Sequence, residues 1–192
     1  MRNLFANFVC FGLLSWGFSL QAEDGNARLS AVIGKLNSLE SFRATITING
    51  SMTGVLSYKN PYQLHVRFND GRILSSNGKV LWFYNPDSSI AGKQDLKGVS
   101  GGIGGLLSGY ESVTVSGKTF RLLSPSKRYT EIILVVSDND LPRVIKMKKS
   151  DEEITEVTFS GIATNIGLGT GLFNFQPPTS SQIVENPLNQ KE

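Results

Sequence analysis

His65 is the only imidazole in the 192 residues, and Cys10 is the only thiol. One imidazole excludes metal sites that need two, and one thiol excludes both a disulfide framework and a cysteine-based zinc site. Gln63, His65 and Arg67 alternate with apolar residues, so at strand spacing they share one polar, solvent-facing side. No Gly-x-Ser-x-Gly elbow supplies a nucleophile for His65 to activate. Esterase or lipase chemistry thus has no base and nucleophile to run on. The expectation is a protein that is not an enzyme and needs no cofactor or metal. Lys146, Lys148 and Lys149 form the one local basic cluster, either a solvated strand face or a docking patch for an acidic surface. With a formal charge of only +3, no basic patch for nucleic acid is expected.

The first 22 residues read as an address. Arg2 gives a positive start, residues 5–20 are almost uniformly apolar, and Gln21-Ala22 precedes the acidic pair Glu23-Asp24. That is the layout of a secretory signal, with cleavage expected after Ala22. The other reading is a membrane-anchoring helix, for which the apolar run is shorter than the ~20 residues that span a bilayer. Small residues do not precede Cys10 as a lipidated cysteine requires, and most of the apolar run follows it. Cys10 therefore leaves with the signal, and the exported chain must be stabilised by its core without disulfides.

The remaining chain must position what is left, which is apolar surface. Leu29, Val32, Ile33, Leu36 and Leu39 recur at helical spacing, predicting one helix over 27–39 capped by Asp24 or Asn26. From Phe42 onward the period is two. Strands are predicted at 42–48, 52–58, 62–68, 72–76, 80–85, 89–94, 112–116, 119–123, 129–137, 143–148, 153–160 and near 173–175. Asn77-Gly78 predicts a two-residue hairpin with Leu74 opposite Leu81 and Ile73 opposite Trp82. About ten short strands make an antiparallel sheet too large to stay flat, so it must curl. Its strands have one apolar face, and one helix is too little to cover it.

Residues 96–110 offer a second cover. They contain six glycines, yet also Val99, Ile103, Leu106 and Leu107. Glycine costs ~1 kcal/mol in a helix, so a short, marginal apolar lid is expected. A curved sheet with so little cover keeps an apolar cavity, which points to binding of an acyl chain or another greasy ligand. Leu64, Val66 and Phe68 are expected in its wall. Leu29, Val32 and Leu36 pack from the helix, and Ile103, Leu106 and Leu107 from the lid. Either Leu74, Leu81 and Phe83 or Ile73 and Trp82 also face inward; the pattern alone does not choose.

Five blocks carry a resemblance in order along the chain: Leu39-Glu-Ser-Phe42, Gly54-Val-Leu-Ser-Tyr-Lys-Asn-Pro61, Ser76-Asn-Gly-Lys-Val-Leu-Trp-Phe-Tyr-Asn-Pro86, Phe120-Arg-Leu-Leu-Ser-Pro125 and Phe173-Asn-Phe-Gln-Pro-Pro178. The chain resembles the periplasmic outer-membrane lipoprotein carrier (LolA) family over nearly all of its exported part. The resemblance implies a mainly β fold: an incomplete, half-open antiparallel β-barrel with an N-terminal helix and a lid. Residues 23–178 would form this domain and 179–192 a C-terminal tail. It also implies a monomeric periplasmic carrier of acylated lipoproteins, loaded by an inner-membrane ABC transporter and unloading to an outer-membrane receptor. Where the family usually has Arg before the proline, this chain has Asn60. That Arg is understood to latch the lid, so Asn60 and the glycine-rich lid imply weaker closure. A lipid- or glycolipid-binding or sensing protein of the same fold is the alternative function.

Overall fold

The computed structural model describes residues 24–96 and 102–189. The expected signal segment 1–22 and part of the expected lid, including Val99, lie outside them. Helix α1 (Gly25–Ser38) starts where Asp24 accepts a hydrogen bond from the Asn26 amide, as a capping aspartate does. The strands follow as β1 (Ser41–Ile48), β2 (Met52–Lys59), β3 (Gln63–Phe68), β4 (Ile73–Asn77), β5 (Val80–Tyr84) and β6 (Ile90–Asp95). After the short helix α2 (Gly102–Leu107) come β7 (Ser112–Ser116), β8 (Thr119–Leu123), β9 (Tyr129–Val136), β10 (Pro142–Lys149), β11 (Ile154–Thr164) and β12 (Gln182–Glu185).

All twelve strands form one sheet in the order β12-β6-β5-β4-β3-β2-β1-β11-β10-β9-β8-β7. It is mainly β and does not close, since β12 and β7 are its two edges. Every pairing is antiparallel except β12 against β6, which is parallel. Between β1 and β11 the register slips at a bulge near Gly161, whose φ of +59° suits glycine and bends the sheet where its two halves meet. One face carries an apolar core: Leu29, Val32 and Leu36 of α1 and Leu107 of α2 pack over Phe120, Leu122, Ile132, Leu134 and Ile145. Residue 25 must be glycine for α1 to lie here, because a Cβ would sit 2.4 Å from the carbonyl oxygen of Val113 in β7. Gly25→Ala is expected to lower stability by about 1–3 kcal/mol in chemical denaturation. An unchanged midpoint would show that α1 does not press on this edge.

Three expectations need correction. The hairpin pairs Leu74 with Phe83 and Ser76 with Leu81, two residues away from the predicted register. Gly78, at φ +88°, is the first residue of the turn rather than the second, and the Asn77 carboxamide accepts from the amides of Lys79 and Val80. Asn77 therefore organises the turn from outside it. A slip of two leaves every side chain on its original face. Residues 173–175 are not a strand: the 3-10 turn Thr170–Phe173 ends there, and Phe173 is packed instead into the face opposite the core. Residues beyond 178 are more than a tail. They supply β12, which gains its hydrogen bonds from β6, and the 3-10 turn Pro187–Asn189.

Candidate functional site

The strand registers settle which residues share the concave face. Leu56 pairs with Val66 and Val66 with Leu74, while Tyr58 pairs with Leu64 and Leu64 with Ser76. Phe83 lies opposite Leu74, Leu81 opposite Ser76, and Gly92 opposite Phe83. Leu64, Val66, Phe68 and Leu74 pack with the core that contains α1, so this face is the inner one. Leu74, Leu81 and Phe83 therefore face inward. Trp82 and Ile73 fall on the other face by parity, which corrects the placement of Trp82 among the cavity residues. Trp82 is buried there, on the side that residues 166–175 cross, with Tyr84 and Phe175 rings 5.6 Å apart and the Lys59 ammonium donating to the Leu168 carbonyl.

The inner face has two parts. Over β7–β11 it is filled, and Val32, Leu107, Phe120, Leu122, Ile132 and Leu134 have no exposed surface. Leu29, Val32 and Leu36 thus fill this half with their own side chains, as a closed cover does. Over β3–β6 it is open. A pocket of about 700 Å³ remains there, walled by Phe68, Leu74, Phe83, Val184, Pro187 and Leu188, with Arg72, Asn85 and Ser88 at its mouth. That size lies within the ~300–1,000 Å³ of ordinary ligand pockets. The Arg72 guanidinium stands over the Phe68 ring, 5.7 Å from its centre, and donates to the Asp70 carboxylate. This bond holds the Asp70 carboxyl below the usual carboxylate range.

The lid helix α2 is short, as its glycines require. Leu107 is buried and Leu106 packs on the core; Ile103 lies in α2. Gly104 permits the close approach to α1: a Cβ there would stand 2.9 Å from the Asn37 side-chain oxygen and 3.2 Å from Ile33. Among the described residues, Asn60 bonds the end of α1 rather than α2. Its Nδ2 donates to the Asn37 carbonyl at the end of α1, 3.1 Å away, and its amide donates to Glu40.

His65 occupies the expected face but is half-buried rather than freely solvated. Its Nδ1 lies 3.1 Å from the Ser75 hydroxyl, which has no exposed surface. Burial, and then the nearby Arg67 charge, push its pKa down, favouring the neutral ring. Sequence reading missed this burial because strand alternation gives the face of a side chain but not what crosses that face, as residues 166–175 do here. The basic cluster is paired: Lys146 with Glu156 at 2.8 Å, Lys148 with Glu152 at 2.5 Å, and Lys149 with Glu153. Such pairing suits a solvated face more than a docking patch for an acidic partner.

The described residues thus form an open sheet with an apolar concave face, part covered and part open. No family model matches the chain. Among curated proteins it is 35% identical over 88 residues to an outer-membrane lipoprotein carrier protein of Photorhabdus laumondii, covering 41% of this chain and 43% of that one. It is 33% identical over 98 residues to that of Pseudomonas aeruginosa, covering 45% and 46%. Against that of Methylococcus capsulatus it is 24% identical over 205 aligned positions, covering 95% and 98%. The two higher identities thus span less than half of each relative, and the full-length match has the lower identity. The chain is thus similar to curated outer-membrane lipoprotein carrier proteins, the resemblance that its sequence blocks carry. Its fold is similar to an uncharacterized conserved protein of Thermus thermophilus, with TM-score 0.55 and 10% identity over 84% of this chain and 99% of that one. It is also similar to a chain of the Pseudomonas aeruginosa MucA/MucB complex, with TM-score 0.50 and 12% identity over 82% and 63%.

Proposed function

We propose that the protein is a periplasmic carrier that holds the acyl chains of lipoproteins on its concave face and ferries them from the inner to the outer membrane. The observation that carries this reading is the open apolar pocket between β3–β6 and residues 184–188. Its relatives' description supports the cargo class. An inner-membrane ABC transporter would load it and an outer-membrane receptor would unload it. Of the expected wall residues, Phe68, Leu74 and Phe83 line this pocket; Leu64, Val66 and Leu81 share their face without lining it, and α1 and α2 would form the cover.

The energetics suit a carrier. An acyl chain gains ~0.8 kcal/mol per buried CH₂, so one sixteen-carbon chain leaving a membrane forfeits roughly 12 kcal/mol in water. The protein must offset most of this, but not all, or the cargo would never leave. A cover that already fills half of the concave face opposes full loading and favours release. Titration of a triacylated lipopeptide into the purified protein tests the reading. Saturable one-to-one binding is expected; failure to bind it, with the protein folded, rejects the carrier.

The lid is expected to open readily. Glycines weaken α2, and Asn60 offers two short donors where an arginine offers five on a long arm. In hydrogen exchange, amides of residues 102–107 should exchange quickly in the natural protein and more slowly in Asn60→Arg. Equal, slow exchange in both would mean that packing of Leu106 and Leu107 holds the lid and position 60 is no latch.

A further inference from the structure

Gln94 is the anomaly of the concave face. Its register places it beside Leu81 on the inner side, and it is 6% exposed. A buried carboxamide there is costly unless all its groups are bonded. Its partners come largely from the end of the chain. Nε2 donates to the Asn186 side-chain oxygen at 3.3 Å and to the Asp95 carbonyl, and Oε1 accepts from the Leu188 amide at 3.1 Å. Asn186 has φ +50°, which turns the chain off the end of β12, and its side-chain oxygen also accepts from the Asp95 amide at 2.9 Å. The turn is anchored a third time where the Asn186 amide donates to the Lys93 carbonyl.

This clasp swings Pro187 and Leu188 over the sheet edge. Pro187 lies 3.2 Å from where a Cβ of residue 92 would stand, so Gly92 leaves room for it. The result is a wall with a vacant apolar side. Ile90 and Leu188 both line the pocket and are 46% and 62% exposed. A sixteen-carbon chain needs roughly 500 Å³ if each methylene takes about the ~30 Å³ of a water in the liquid. A pocket of about 700 Å³ therefore has room for one such chain. The rest of the concave face is occupied by α1 and α2. At the mouth, two of the five N–H groups of Arg72 bond Asp70 and the Asp87 carboxylate also acts on its charge, which leaves three N–H donors for a ligand's head group.

We propose that residues 182–188 wall a single-chain acyl site that stays open in the empty protein, held by the clasp of Gln94 and Asn186. The site takes one acyl chain with an anionic head, such as a fatty acid or a lysophospholipid, without displacing α1 or α2. This deepens the carrier reading and rests on it: the open site is where the first chain of a larger cargo engages before the cover moves. Asn186 is a positioning residue, acting through the wall it holds.

Palmitate carrying a spin label near its methyl end tests the site, with lysophosphatidylglycerol as the phosphate-headed counterpart. One equivalent of each should bind, and the label should broaden the amide signals of Phe83, Val184 and Leu188 but not those of Leu36 and Leu107. Binding of palmitate alone would assign the mouth to carboxylates, and of the lysolipid alone to phosphates. Asn186→Gly keeps the positive φ but loses the side chain, and should weaken palmitate binding about tenfold. Asn186→Asp, which can accept the same two hydrogen bonds, should restore it; a merely structural defect would not be rescued in this way. Broadening at Leu36 and Leu107 instead, or unchanged affinity in Asn186→Gly, overturns the open site while leaving the carrier reading intact. If neither palmitate nor a triacylated lipopeptide binds, the carrier reading itself fails.

Discussion

Phe83→Glu should abolish uptake of acyl lipids while leaving the protein folded. Phe83 is half-buried on the inner side of β5 and walls the open pocket. In the empty protein a carboxylate there still reaches water through the mouth, so the sheet tolerates it. An acyl chain would strip that water away. Desolvating an unpaired carboxylate costs several kcal/mol, and about 4 kcal/mol is already close to a thousandfold in affinity. Val55→Glu is the matched control, since Val55 is 43% exposed and pairs with Arg67 on the convex side. Displacement of a fluorescent fatty acid should show wild-type affinity for Val55→Glu and no saturable binding for Phe83→Glu. Retained binding in a folded Phe83→Glu protein would place the ligand elsewhere.

Phe120→Ala should have the largest effect on stability. Phe120 has no exposed surface and sits at the centre of the filled half, paired across the sheet with Leu134 and Val115. The Arg28 guanidinium of α1 lies 6.0 Å from its ring centre, so the ring also anchors the helix. Loss of a buried phenylalanine costs about 3–5 kcal/mol. That is a large share of the ~5–15 kcal/mol that holds a typical domain folded. Urea denaturation should show the loss. Because the open pocket is built from other strands, the folded fraction should still bind one fatty acid. A loss below about 1 kcal/mol would mean that α1 and the sheet do not form one core.

The periodicities made much of this molecule legible. The alternation in residues 42–48 and 62–68 identified the strands and the shared face of Leu64, Val66 and Phe68, because period two follows from the pleat itself. The spacing of Leu29, Val32 and Leu36 gave α1 for the same kind of reason. Local rules were less sure of turns. Asn77 has turn chemistry in either register, so the dipeptide Asn77-Gly78 did not fix which residues occupy the turn. Long-range contacts were not legible at all. The face of Trp82 stayed open because alternation alone fits either side, and the segment 166–175 that crosses its side of the sheet is distant in sequence. Likewise Gln94 reads as an ordinary polar residue in a strand. Only the return of Asn186 and Leu188 to β6 shows it to be buried and paired. The pocket's far wall comes from residues whose composition suggested a tail.

The central claim is that this pocket carries the acyl chains of lipoproteins. Native mass spectrometry of the protein isolated from its own periplasm tests it most directly. The account predicts a population bearing one acylated lipoprotein each, which releases diacylglyceryl-cysteine peptides on proteolysis and is absent from Phe83→Glu. Isolation with only phospholipid or glycolipid bound, and with no lipoprotein under conditions of active lipoprotein export, would contradict it.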